Sequence, residues 1–482
     1  MDVAVRLARV MSDQNPVIVW FRRDLRLADN PALHAAVQSG KPLILLYVNE
    51  TNKPRALGGA AQAWLHHSLL ALKTSIETKG GGLVLRSGVA ADILDEMIET
   101  TQADEVHWNR RYEGWARETD KALKTTLKAR GLNAESHKAN LLSEPWEVAT
   151  KTGGFYKVFT PFWRAACRDI HVAPPISAPK SLACLGGVQS EDVGAWSLLP
   201  SSPDWASDIM ADYTPGELGA MERLNSFLDG PVENYDVQRD RPDDETGTSK
   251  LSPHLAFGEI SPRQIWTDAK QCEYNSDKFL SEIGWREFSY TLLFYNPDLA
   301  SQNYKPDFDA FPWDSDPEKV EAWRKGQTGY PFVDAGMREL WQTGWQHNRV
   351  RMVCASFLIK HLMTDWRVGE DWYWDTLLEA DPASNAAGWQ WVAGSGADAS
   401  PYFRIFNPFS QGEKFDPKGE YVRRYVPELS GLPNKYIHQP WTAPKEVLDA
   451  AGVVLGEDYP KPVVDHKAAR EKALSGYKLS RS

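Results

Sequence analysis

The chain has 482 residues, 42% of them hydrophobic, which is too long for one core and points to two domains. Its formal charge of −11 excludes a general polyanion binder but not a local basic groove, because field and net charge are different quantities. The four Cys (Cys167, Cys184, Cys272 and Cys354) are scattered without a CxxC, which suits a reducing cytosol and gives no zinc or iron–sulfur signal, so no metal site is expected.

Residues 1–15 lack the apolar core of a signal peptide and are expected to be a loose N-terminal extension, with Met11 as an alternative start. No apolar run reaches membrane-spanning length. Residues 16–145 then alternate short apolar runs with helical patterns. VIVWF (17–21), LILLYV (43–48), GLVLR (82–86) and EVHWN (105–109) read as parallel strands buried on both faces. A segment such as AAQAWLHHSLLALKTSI reads as a helix between them, so this part is a doubly wound α/β domain. Asp29-Asn30-Pro31 after the first strand reads as a helix start, with an Asx cap and Pro in the first turn. Residues 146–215, rich in Pro, Ser and Gly, read as a long irregular linker, and residues 216–482 as an all-helical domain.

The densest chemistry lies between Gly329 and Phe409. Five Trp fall between Trp341 and Trp374, and Trp389 and Trp391 follow as WQW. Asn348, Arg351, Asp381 and Asn385 sit among them, whereas a core built for stability alone would use Leu, Ile and Val. Buried polar groups need partners, and a large planar cofactor would supply them. Taken singly, Asn348 is most often a helix cap, Arg351 a solvated side chain and each Trp core. Arg349 and Arg351 are two apart, so they lie on different faces of one helix. In TGTSKLS (246–252), a cluster of hydroxyls and Gly precedes a helix; it is either an N-cap at Ser252 or a phosphate site at a helix start. No GxGxxG or Walker loop competes for a dinucleotide.

WFRRDLRLADNPAL (20–33), GTSKLSPHLAFGEISPRQ (247–264), IGWREF (283–288), WQHNRVRM (345–352), SFLIKHLMTDWR (356–367), DPASNAAGWQW (381–391) and PYFRIFNP (401–408) together resemble the photolyase/cryptochrome family over roughly residues 15–440. The resemblance implies an N-terminal antenna-binding α/β domain and a C-terminal helical FAD-binding domain. It assigns the flavin to Tyr235, Thr248, Ser249, Leu251, Ser252, Trp285, Asn348, Arg351, Glu379, Asp381 and Asn385. The acid partner of Arg351 is usually Asp and is Glu379 here. Asn385 is assigned to the flavin N5. Plant cryptochromes carry Asp there, whereas Asn cannot donate a proton at neutral pH, which is the photolyase pattern. Trp389, Trp366 and Trp313 match the electron-transfer triad; Trp341, Trp372 and Trp374 would add a branch.

For substrate, the resemblance points to Glu282, Trp285, Asn348, Met352 and Trp391 at a flipped-out lesion, and to Arg239, Arg349 and Arg404 on DNA phosphates. Animal-type (6-4) enzymes carry two pocket His where this chain has Asn348 and Met352. Asn109 and Glu113 would border the antenna, with 5,10-methenyltetrahydrofolate favoured, although a folate-holding Lys of one branch is replaced by Ser301. The expected function is blue-light repair of cyclobutane pyrimidine dimers by a class III-like, FAD-dependent DNA photolyase, acting as a cytoplasmic monomer on UV-damaged DNA, with no membrane partner. A cryptochrome-type photoreceptor without repair is the alternative. A flavin oxidoreductase lacks a nicotinamide site.

Overall fold

The computed structural model describes residues 14–398 and 403–481, so most of the expected N-terminal extension, Met11 included, lies outside the described residues. Among the described residues the strands are β1 (Val17–Phe21), β2 (Leu43–Glu50), β3 (Leu83–Gly88), β4 (Glu105–Asn109) and β5 (Asn133–His137). All pair in parallel, in the order β3-β2-β1-β4-β5. Alternation sends Val17, Val19 and Phe21 of β1 into one core and Ile18 and Trp20 into another, which is why its run is apolar throughout. The helices α1 (Pro31–Gln38) and α2 (Gly59–Glu77) cover the first face. The second face is covered by α3 (Ala90–Thr101) and α4 (Gly114–Ala129). Strand β5 escapes a reading by apolar runs because NAESH has a single apolar residue, Ala134, and pairs only with β4.

The start of α1 is as read: Asn30 caps it by accepting from Leu33 N at 3.1 Å, and Pro31 takes the first position. Asp29 beside it has a left-handed φ of 49°. Its carboxylate accepts from Ile176 N at 3.0 Å and pairs with Arg263, which ties the loop to later chain.

The expected linker is more ordered than its composition suggests. It contains the helix α5 (Phe159–Asp169). Further on, Leu43 N donates to Ala183 O at 2.9 Å and Glu191 N to Leu85 O at 2.8 Å, so the segment runs back along β2 and β3. Prolines prevent helix here, but an extended chain can still satisfy backbone groups of a sheet and cover its edge.

The helical part carries α6 (Ser252–Phe257), α7 (Asp277–Tyr295), α8 (Pro331–Thr343), α9 (Asn348–Ser356), α10 (Trp366–Thr376) and α11 (Ser384–Ala393). A π-turn at Phe357–His361 extends α9. Gly344, at φ 65°, ends α8 in the left-handed conformation that a residue with a Cβ adopts at a cost. The cap of α9 is His347, whose ring accepts from Arg349 N at 3.2 Å; Asn348, the cap on a sequence reading, is the first helical residue. Likewise Leu251 holds the cap position of α6, with Ser252 already inside the helix. Among the described residues, no helix is long and apolar enough to cross a membrane.

Candidate functional site

The helices α6, α7, α9, α10 and α11 enclose a cavity of about 580 Å³. Its lining brings together Tyr235, Ser249, Leu251 and Ser252, then Arg351, Glu379, Asp381 and Asn385, and also Glu282, Trp285, Asn348, Met352 and Trp391. Thr248, one residue before Ser249, is half-buried and does not line the cavity. Lys250, also outside the lining, takes φ 48° just before α6. Leu251 offers no side-chain acceptor to the first turn of α6; Pro253 has no N–H and Leu255 N donates to Leu251 O, which leaves the Ser252 and His254 amides for an anion.

The polar wall is held by specific pairs. Arg351 donates from Nε to Gln346 O at 2.8 Å and from Nη2 to Glu379. Glu379 Oε2 is buried with no partner among the described residues, a polar atom that a bound group would satisfy. Asp381 accepts from Ser384 N at 2.7 Å and Tyr290 OH at 2.8 Å, which fixes its carboxylate at the start of α11. Asn385 donates to Glu370 O at 3.1 Å and Glu370 Oε1 at 2.8 Å. Both partners are acceptors, so the Asn385 amide nitrogen must face Glu370. Glu370 is itself gripped by Arg55, at 3.0 and 2.8 Å. Burial pushes the Glu370 carboxyl up, and Arg55 pulls it back. Neither Arg55 nor Glu370 is visible in sequence: they lie 315 residues apart, and Arg55 sits in a loop without periodicity.

At the mouth, Glu282 pairs with Arg239, and Lys278 Nζ lies 3.5 Å away. Arg349 pairs with Asp240 at 2.7 Å. Two of the three predicted phosphate-binding arginines therefore line the cavity already neutralised. Arg404 lies outside it, exposed, with its guanidinium 4.5 Å from the Phe406 ring centre. Trp285 is stacked on Phe159, with ring centres 3.8 Å apart and planes 10° from parallel. Phe159 comes from α5, in the stretch read as an irregular linker, so the sequence offered no signal for it. His347 does not line the cavity, and burial pushes its ring down to about 4, leaving it neutral at pH 7.

Of the three triad tryptophans, Trp389 lines the cavity. Trp366 is fully buried and donates from Nε1 to Asn303 Oδ1 at 2.9 Å. Trp313 is half-buried and packs on the same core. Gly369 of α10 is required here, since a Cβ would come within 2.1 Å of the Trp389 ring. Trp389 also meets Tyr373 edge-on at 5.0 Å and Trp323 at 6.4 Å. Farther out, Trp341, exposed, stacks on Trp372 at 5.8 Å.

A second cleft of about 540 Å³ opens beyond the carboxyl ends of β1, β2 and β4, where the strand order reverses. Arg22, Arg23, Lys53, Arg55, Arg111 and Glu113 line it. Burial pushes Lys53 down to about 8. Asn109 is not part of this cleft, contrary to the sequence expectation. It is 1% exposed, donates to Asp24 Oδ2 at 2.5 Å and Asn30 Oδ1 at 2.8 Å, and accepts from Ala32 N at 3.2 Å. Its amide is consumed in joining β4 to the loop before α1. Ser301 is exposed and also lies outside the lining.

Comparison with known proteins bears on both clefts. Residues 17–180 match the family described as DNA photolyase, and residues 279–479 the FAD binding domain of DNA photolyase. A deoxyribodipyrimidine photo-lyase of Agrobacterium fabrum is 55% identical over 468 residues, covering 96% of this chain and 97% of that protein. Cryptochrome-1 of Arabidopsis thaliana is 40% identical, covering 95% of this chain and 70% of its own length. The crystal structure of a bacterial class III photolyase from Agrobacterium tumefaciens superposes with a TM-score of 0.95 at 54% identity, covering 97% of this chain and 98% of that one.

Proposed function

The chain belongs to the photolyase/cryptochrome family, and from that premise we propose that it is a class III deoxyribodipyrimidine photolyase, a blue-light-driven lyase that splits cyclobutane pyrimidine dimers in DNA. The observation that carries this reading is that one cavity gathers polar groups suited to a flavin and aromatic rings suited to extruded bases. Bound FAD, fully reduced and excited by light, supplies the electron that opens the cyclobutane ring.

The protein's own groups do the rest. The unpartnered Glu379 Oε2, the Ser252 and His254 amides of α6 and the oriented Asn385 fit the polar parts of a flavin dinucleotide. Tyr235, Thr248, Ser249, Leu251 and Ser252 would hold its phosphates, and Arg351, Glu379 and Asp381 its ring edge. Asn385 cannot give a proton, so it would leave a fully reduced flavin available for repair, which favours a photolyase over a photoreceptor. Trp285, braced from behind by Phe159, offers its other face for stacking, together with Trp391. Glu282 would accept from the base edges, and Met352 and Asn348 would line the lesion pocket. Phosphates would draw Arg239 and Arg349 away from Glu282 and Asp240 and bind Arg404 directly. Trp389, Trp366 and Trp313 would relay an electron inward from the surface.

We assign the second cleft to the antenna, with 5,10-methenyltetrahydrofolate favoured and Glu113 at its rim. The same proposal takes the protein as a monomer in the cytosol or nucleoid, divided at about residues 16–145, 146–215 and 216–482.

Lesion choice follows from the missing acid. Reverting a (6-4) product needs a proton donor, and Asn348 and Met352 provide none. His347 is neutral, buried and committed to capping α9. Illuminated assays on oligonucleotides with one defined lesion should show repair of cyclobutane dimers and none of (6-4) products; efficient (6-4) repair would overturn the assignment.

A further inference from the structure

The edge of the sheet formed by β4 and β5 is polar where the other strands are apolar. His107 of β4 stands opposite Glu135 of β5, and Asn109 opposite His137. Alternation keeps Glu105, His107, Glu135 and His137 on one face. His107 Nδ1 lies 3.0 Å from His137 Nε2. The other ring nitrogen of His107, Nε2, lies 3.3 Å from Glu105 Oε2, and Glu105 is held in turn by Lys41 at 2.6 Å. His107 is buried, His137 half-buried and Glu135 exposed. One donor atom from each of His107, Glu135 and His137 falls within 4.8 Å of the other two.

We propose that His107 Nδ1, His137 Nε2 and the Glu135 carboxylate form a divalent metal site, with zinc the favoured ion and water as the fourth ligand. Two His and one carboxylate are a zinc donor set. The Glu105 carboxylate takes the N–H of His107 Nε2, which leaves the Nδ1 lone pair directed at the proposed ion. A carboxylate behind a ligating imidazole is the outer-shell arrangement that metal sites use to fix the tautomer. Two nitrogens on one tetrahedral zinc lie roughly 3.4 Å apart, given bonds of about 2.1 Å, so the 3.0 Å separation needs to open by only a few tenths of an ångström. The exposed Glu135 provides an entry path. No residue of the trio lines either cleft, so the site is separate from the repair machinery. Its effect would be to staple β5, which has one strand neighbour and little apolar surface, to the rest of the sheet. The sequence hid it, because the three ligands come from two strands without a short motif.

The test is metal binding by the FAD-loaded protein after chelator treatment and dialysis. Titration with zinc should give one ion per chain, raise the unfolding temperature by a few degrees, and leave blue-light repair unchanged. Cobalt should give the absorption of a four-coordinate ion. Glu135→Gln, an exposed change that leaves the fold intact, and His137→Ala should each weaken zinc binding at least ~10-fold. A parent protein that takes up no zinc at micromolar free metal overturns the proposal. So does zinc bound with equal affinity by the parent and Glu135→Gln.

Discussion

The two clefts have nearly the same volume, about 580 and 540 Å³, but hold their charges differently. The first is walled by aromatic rings, hydroxyls and cations already matched to acids: Arg351 with Glu379, Arg239 with Glu282, Arg349 with Asp240. The second gathers cations at the carboxyl ends of parallel strands, and its Arg22 and Arg111 share Asp120 while Arg111 also grips Glu50. The difference separates two tasks. On the assignments proposed above, the part-exposed pairs of the first cleft could swap partners with DNA phosphates, whereas the Arg111–Glu50 pair of the second is buried and fixed. They are joined by one chain of hydrogen bonds, in which Arg55 of the second cleft holds Glu370, and Glu370 holds Asn385 of the first.

The largest expected effect isolates the relay of the first cleft. Trp389→Phe should nearly abolish photoreduction of bound flavin in the presence of reductant, yet leave repair intact when the flavin is reduced chemically. Photoreduction at the parent rate would remove Trp389 from the relay.

Next comes the stacking platform. Trp285→Ala removes the ring that Phe159 braces, at a cost of ~1–3 kcal/mol per stacked base in affinity for dimer-containing DNA. Binding titrations check this, with FAD content as the control for folding.

A third test uses buried titratable groups that line neither cleft. Burial pushes Glu287 and Glu339 up to about 7 from 4.5, and Lys360 down to about 7 from 10.5. Between 4.5 and 7 the folded protein holds carboxyl protons that the unfolded chain has lost, so these groups' contribution to stability falls as pH rises. Between 7 and 10.5 the unfolded chain binds the lysine proton that the folded protein lacks, so the Lys360 contribution rises with pH. Urea midpoints of Lys360→Met should therefore lose the alkaline rise and keep the acid arm. An unchanged alkaline arm would mean that Lys360 stays charged, held by Val392 O and Arg404 O.

The smallest effect concerns exchangeable charge. Damaged-DNA binding should weaken with salt despite the net charge of −11, through counterion release. Arg349→Ala and Arg404→Ala should each flatten the log–log slope by about one unit. Slopes unaltered in both variants would take these residues off the DNA path.

Much of this architecture was legible in the chain. β1 to β4 announce themselves because strands buried on both faces must be apolar throughout, and the Asn30-Pro31 helix start because its cap is local. Most flavin and lesion residues that the family resemblance singled out line one cavity, while Arg404, Trp366 and Trp313 lie outside its lining and Glu113 lines the second cleft. Asn109 is spent on a buried network, and Thr248 stops one residue short of the lining. What stayed hidden depends on distance in sequence. Phe159 reaches Trp285 from a Pro-rich connection, and Arg55 meets Glu370 across 315 residues. β5 was invisible because an edge strand need not be apolar. The cap of α9 fell to His347 because its ring, not the Asn348 amide, reaches Arg349 N.

The most direct measurement of the central claim is a flash experiment on the parent protein with chemically reduced FAD and bound DNA carrying one thymine dimer. Absorbance at 260 nm should rise with each blue flash as the ring opens and thymine is restored, stay flat in the dark, and rise far less in Glu282→Ala. No rise under blue light, with FAD reduced and DNA bound, would contradict it.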